Sequence, residues 1–336
     1  TMPETDATRT TPTALKIALW AMNLENPVAA RAAWLGLLEA QMLAARGQGA
    51  DLLVLPEYAS AHWLHWAPPS PHGAPLAGAP LMRWMAQEGE ALLPEIELLV
   101  VRHGLGLVAG SMPVPAAHNP DNARDLGTLN RAWILLPEAD GALRRLHHDK
   151  LVPTPAERET GDWPIRLGAR VLPFEFRGAR LAVLICLDVE MPAVAAKLQD
   201  QKLDLVIVPS MTGQLSGYHR VFDCAKARAV ELFAAVAAVG AIGEMAQGQG
   251  GNCSGASLFL PCEMHLGANG RAAEIAPQST VDGPGPMLVA EVPVAALRRA
   301  RRHAEAWPGP FDGRHVEIGH GDGPVPIPRF SAAKQA

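Results

Sequence analysis

Apolar positions along this chain follow two rhythms that recur in the same order in each half. Residues 15–24 (LKIALWAMNL) read as a strand, and residues 27–48 carry the apolar spacing of an amphipathic helix rich in Ala, Leu and Arg. Residues 51–57 (DLLVLPE) are almost continuously apolar and end in a carboxylate, as expected of a strand covered on both faces with a polar group at its end. A loop over residues 60–80, rich in Pro, His and Trp, has the length of an active-site wall. A helical pattern over residues 81–102 follows, then strands at 106–114, 130–136 and 145–150. The next segment, LVPTPAERETGDWP, is excluded from a regular helix by its prolines.

The second half repeats the theme. Strands are predicted at 172–176 and 180–187, a helix at 192–201, a strand at 204–209, a helix at 218–233, and strands at 234–242 and 257–260. A strand at 289–292 and a helix at 294–303 lead into a tail dense in Gly and Pro from about Trp307. Two strand–helix–strand halves predict a layered α/β sandwich; the eight regular units of a barrel are not there. The expected organisation is an N-terminal stretch (1–14), a single folded domain (15–305) and a C-terminal extension (306–336). Thr1 ahead of Met2 reads as a residue left by preparation or processing, and the polar start does not resemble a signal sequence.

Bulk properties narrow the function classes. The 336 residues are enough for a substantial core, with 49% hydrophobic and 19% charged positions. A net charge of −5 provides no broad cationic surface, so nucleic acid is not an expected partner. The basic cluster Arg298, Arg299, Arg301 and Arg302 reads as a solvated helix end. No apolar run reaches the roughly 18–20 residues that span a bilayer, which makes a cytoplasmic location the expectation. The four cysteines, Cys186, Cys224, Cys253 and Cys262, have no paired spacing, so neither disulfides nor a structural zinc is predicted. Histidine pairs such as His147–His148 lack accompanying carboxylate spacing, and no metal or cofactor is expected.

Three strand ends carry chemistry. Cys186 ends LAVLIC just before LDVEMP turns towards a helix, an elbow that lifts a side chain to the sheet's carboxyl edge and would favour a thiolate there. Lys150 ends RRLHHDK ahead of the Pro-rich loop. Glu57 ends a wholly apolar strand, where a carboxylate is costly without a partner. A carboxylate, an ammonium and a thiol make a complete set for acyl transfer: one moves protons, one stabilises an oxyanion, one attacks.

The segments LLVLPEY, HHDKLVPTPAERE and LAVLICLDVEMP resemble, in order, the Glu, Lys and Cys signatures of the carbon–nitrogen hydrolase (nitrilase-like) superfamily, over roughly residues 15–305. The resemblance implies an αββα sandwich, commonly paired into a four-layer αββα–αββα homodimer or larger homo-oligomer. It implies a catalytic triad on Glu57, Lys150 and Cys186, a second glutamate at Glu157 with Glu159 as the nearby competitor, and an oxyanion hole from Lys150 and the backbone N–H of Leu187. Cys186-Leu187-Asp188 is closer to the amide and carbamoyl branches than to the nitrile branch, because the aspartate stands two positions after the cysteine. Hydrolysis of a small amide is therefore the expected reaction, releasing ammonia or an amine. A nitrilase, an N-acyl transferase and a non-catalytic binding subunit of the same fold are the alternatives. Tyr58, Trp63, Ser210, Met211, Thr212, Tyr218 and His219 are candidate substrate contacts from their proximity to these strand ends.

Overall fold

The computed structural model describes residues 13–116, 127–158 and 161–310. The first half runs β1 (Leu15–Trp20), α1 (Arg31–Gly47), β2 (Leu52–Val54), α2 (Gly78–His103), β3 (Gly106–Pro115), β4 (Thr128–Pro137) and β5 (Leu143–Asp149). The second half opens with β6 (Phe174–Phe176), β7 (Ala179–Val183), α3 (Pro192–Ala196), β8 (Leu205–Ser210), α4 (Leu215–Leu232) and β9 (Ala235–Gly240). A small hairpin of β10 (Gly243–Glu244) and β11 (Gly251–Asn252) precedes β12 (Ser254–Phe259), α5 (Met264–Gly267), β13 (Arg271–Gln278), β14 (Met287–Val292) and α6 (Val294–Ala300).

The strands form two six-stranded sheets, ordered β14-β1-β2-β3-β4-β5 and β13-β12-β9-β8-β7-β6. Each has a parallel centre, β1-β2-β3 and β7-β8-β9, flanked by antiparallel strands. Alternation of side chains decides which layer each residue joins. Leu15, Ile17 and Leu19 of β1, with Leu52 and Val54 of β2, pack towards the second sheet, whereas Ala18, Trp20 and Leu53 join the layer of α1 and α2. The strands β7 to β9 are buried on both faces, between the first sheet and α4, and are correspondingly continuous in apolar residues. The architecture is thus a mixed α/β sandwich with helices outside two stacked sheets.

Differences from the sequence reading have local causes. Residues Ala59–Trp66 form a buried 3-10 helix within the segment expected to be a loop, because Ala61, Trp63 and Leu64 pack into the helix layer. The strand expected over 180–187 ends at Val183, and the helix expected over 192–201 stops at Ala196 and resumes as a 3-10 turn at Gln199–Gln201. The edge strand β13 carries no apolar run in its half-exposed sequence RAAEIAPQ, which left it without a signal. Among the described residues no helix is long and apolar enough to cross a membrane. The tail from 311 onward, Glu159 and most of the N-terminal stretch lie outside the described residues.

Candidate active site

Glu57 is set where the chain leaves β2 beside its parallel partner β3. After Val54, Leu55 still donates to the Val108 carbonyl at 2.9 Å, but Pro56 has no N–H and pairing ends there. The chain then turns through Tyr58, which has φ 47°, with its N–H donating to Ser111 Oγ at 2.9 Å. Beneath this turn lies Gly110 at φ 65°, where a Cβ would overlap the Pro56 carbonyl oxygen. Glycine at 110 is what allows β3 to bulge against the segment that carries Glu57.

Lys150 follows β5, with its backbone N–H donating to the Asn130 carbonyl at 2.9 Å and its own carbonyl accepting from Gly168 at 2.7 Å. Glu157 ends a single 3-10 turn begun by Thr154, whose N–H and hydroxyl both donate back to Glu157 Oε2, at 2.9 and 3.0 Å. Cys186 stands where β7 has ended and adopts φ 46°, a left-handed conformation rare for a side chain with a Cβ. The turn it opens is closed by Asp188, which donates its backbone N–H to the Ile185 carbonyl and accepts the Ile185 N–H on Oδ2 at 3.1 Å.

These elements bring Glu57, Lys150, Glu157 and Cys186 together in the interior, each no more than 5% exposed. Lys150 Nζ donates to Glu57 Oε1 at 2.7 Å and to Glu157 Oε2 at 2.6 Å. Glu57 Oε2 accepts the Met211 N–H at 3.0 Å. The Cys186 sulfur lies 3.9 Å from the Met211 carbonyl oxygen. Asn130 was not anticipated: its Nδ2 donates to both carboxylates, at 3.0 Å to Glu57 and 3.2 Å to Glu157. Its only trace in the sequence is a polar residue on the inward-facing register of TLNRAWIL.

One buried ammonium between two buried carboxylates cannot neutralise both, so their proton affinities separate. Burial pushes Glu57 up to about 7, against the pull of Lys150 and with the added repulsion of Glu157. Burial also acts to raise Glu157, but the charge and hydrogen bond of Lys150, with Thr154 and Tyr58, outweigh it and hold Glu157 below the ordinary carboxylate value. Lys150 is pulled down by burial and raised further by its two carboxylates, so it stays charged. Burial, then Glu57, raises the Cys186 thiol well above its ordinary value. The elbow was expected to favour a thiolate; in its dry surroundings the sulfur rests as a thiol, and the short 3-10 turn Cys186–Glu190 does not offset burial.

A cavity of about 240 Å³ opens onto Glu57, Lys150 and Glu157 of this cluster; Tyr58 and Met211 also line it, with Trp163 and Met245 as further apolar walls, and Cys186 is not among its lining residues. Of the anticipated substrate contacts, Met211 and Tyr58 line it. The Tyr58 hydroxyl is already committed to Glu157 Oε1 at 2.8 Å. Trp63 is fully buried in the helix layer, edge-on to Trp34, because its 3-10 helix turns it away from the strand ends. Ser210 is still within β8 and directs its hydroxyl at the Val239 carbonyl, and Thr212 donates to the Cys253 carbonyl at 2.8 Å. Tyr218 stacks on Phe222 and hydrogen-bonds Glu274, while His219 is exposed beside Asp223; one turn of α4 carries both away from the cavity. Leu187, half-buried, supplies the first backbone N–H after the sulfur. Trp163, Met245 and Asn252 were missed because they reach the cavity from irregular segments and a hairpin far along the chain.

The sequence matches the family model described as "Carbon-nitrogen hydrolase" over residues 16–301. A curated relative, "Probable hydrolase YhcX" of Bacillus subtilis (strain 168), is 28% identical over 166 residues, covering 49% of this chain but only 31% of that protein. The chain thus spans about a third of the length of that relative. Among solved structures, Saccharomyces cerevisiae Nit3, a member of branch 10 of the nitrilase superfamily, superposes with a TM-score of 0.64 at 17% identity, covering 89% of this chain and 97% of that one. An amidase from Nesterenkonia sp. superposes at 0.59 with 20% identity, covering 89% and 98%.

Proposed function

Because the chain belongs to the carbon–nitrogen hydrolase family, we propose that it hydrolyses a small linear amide through a thioester on Cys186. The observation that carries this reading is the Glu57 carboxylate, which holds Lys150 and the N–H of Met211, the residue whose carbonyl meets the Cys186 sulfur, while burial raises it to about 7. A base in that range takes a proton at neutral pH and gives it back within the same turnover. The amide branch is favoured by Cys186-Leu187-Asp188 and by the likeness in fold to the Nesterenkonia amidase.

In the first half-reaction the Cys186 sulfur attacks the amide carbon as Glu57 takes the thiol proton. Charge collects on the carbonyl oxygen, where the third N–H of Lys150, left over from its two carboxylates, and the Leu187 N–H hold it. The carbon–nitrogen bond breaks as Glu57 protonates the departing nitrogen. Water, deprotonated by Glu57, then attacks the thioester, and the sulfur leaves and is reprotonated as the carboxylic acid forms. Glu157 keeps Lys150 charged and aimed, and Asn130 keeps the carboxylates apart from each other.

The test is ammonia release from a panel of small amides and nitriles by wild type and Cys186→Ala, with mass spectrometry for an acyl adduct. Release by wild type alone, with an adduct on Cys186 that accumulates in Glu57→Gln, is expected. Equal rates from both proteins, or an adduct on Cys224, Cys253 or Cys262, would overturn the assignment.

A further inference from the structure

The cavity is uneven in charge. Lys150 is the only basic residue on its lining among the described residues, and two of its three donors are taken by Glu57 and Glu157. Arg228 and Arg220, which a carboxylate-bearing substrate could have used, do not line it. Arg228 is buried with its Nε on the Val189 carbonyl at 2.9 Å, and Arg220 lies 3.7 Å from Glu190. The remaining charged group on the lining is Asp162, exposed, with no hydrogen bond or ion pair to any described residue. The uncharged lining is mostly aromatic, thioether and amide, with Tyr58 edge-on to Trp163 (centroids 4.8 Å apart), Met211, Met245, Gln249 and Asn252.

A second carboxylate entering this space would be stripped of water beside Glu57 and Glu157, with no free cation among the described lining residues to receive it and Asp162 repelling it on the way in. A cation meets the reverse field. The volume of about 240 Å³ lies below the range usual for drug-sized ligands and limits the substrate to a short chain. We propose that the site selects short amides whose non-leaving end is neutral or cationic and rejects those bearing a carboxylate, with Asp162 as the residue that sets this preference. The inference rests on the amide-hydrolase reading above and adds the class of acyl group to it.

Three amides of one length separate the charge states: pentanamide, its ω-amino derivative and its ω-carboxylate counterpart, glutaramic acid. Binding of each to Cys186→Ala is measured by calorimetry, and ammonia release by wild type is measured in parallel. The ammonium amide is expected to bind about tenfold tighter than the carboxylate amide in low salt, with the gap narrowing as ionic strength rises. In Asp162→Lys, built in both backgrounds, the order should reverse, and Asp162→Asn should fall between. A carboxylate amide bound as tightly as the ammonium amide, or an order unmoved in Asp162→Lys, would overturn the proposal. Ordered binding to Cys186→Ala without ammonia release by wild type sinks the hydrolase reading and leaves the charge selection standing. Ammonia release from all three amides with equal affinities does the opposite.

Discussion

The Asp188 carboxylate accepts the Val152 backbone N–H at 2.9 Å, joining the turn that holds Cys186 to the loop that leaves Lys150. The same carboxylate, itself fully buried, accepts the N–H groups of Leu151 and Ile185 and faces the buried His148 Nε2 at 3.1 Å. Cys186 and Lys150 follow strands of different sheets, β7 and β5, and this one side chain ties the two segments together. Asp188→Asn presents an NH2 group to backbone donors and breaks part of the tie. We expect kcat to fall on the order of a hundredfold with KM little changed, as for a displaced catalytic group. Steady-state kinetics beside circular dichroism checks this; an intact fold with unchanged kcat would show that the spacing is held elsewhere.

Activity should depend on Glu57 being ionised. Burial raises this carboxylate to about 7, so protonation removes the base as pH falls through that value, while Lys150 and Glu157 keep their charges. The profile of kcat/KM is expected to climb about tenfold per pH unit below roughly 7 and to level off above it. A flat profile from pH 5 to 8 would exclude Glu57 as the titrating base.

Asn130 offers a way to move that limb. Its amide nitrogen serves Glu57 and Glu157 together, so Asn130→Asp replaces a donor to both with a third negative group. The acid limb should shift upward by about one pH unit or more, whereas Asn130→Ala should lower kcat with a smaller shift. The pH dependence of kcat/KM for the two variants distinguishes an electrostatic role from simple packing.

Stability should fall in mild acid for a reason remote from catalysis. His62 is fully buried in the helix layer, held through Nε2 to the Asn26 carbonyl at 2.6 Å, and burial lowers its pKa to about 4. The unfolded chain binds this proton near pH 6.5 and the folded one only near pH 4, so stability present at neutral pH is lost as pH drops between them. The loss amounts to about 3 kcal/mol at most. Urea denaturation at neutral and mildly acidic pH should show it in wild type and much less of it in His62→Gln.

Glu57 and Cys186 were legible because each closes an apolar run, whereas Lys150 ends the polar run RRLHHDK and, like Glu157, was read from the likeness of its segment to the family's signature. Asn130 faces inward by strand alternation, but nothing in TLNRAWIL says which carboxylates it meets. Trp63, Tyr218 and His219 lie close to the strand ends along the chain, yet helical turns carry them elsewhere. Asp188 was readable as a sign of amide chemistry; its place in the fold is a brace, absent from the cavity lining. Asp162 and Met245 depend on how distant segments meet, which local pattern does not encode.

Cys186 keeps its left-handed backbone at a cost of about 1–2 kcal/mol that glycine would not incur. A sequence shaped for durability alone would place glycine or asparagine at that bend. The thiol is therefore retained at the expense of thermal tolerance, and the neighbouring bend at Tyr58, also left-handed, adds to the same deficit. Efforts to make this protein hardier should look for gains in α1, α2 and the edge strands, and leave both bends as they are.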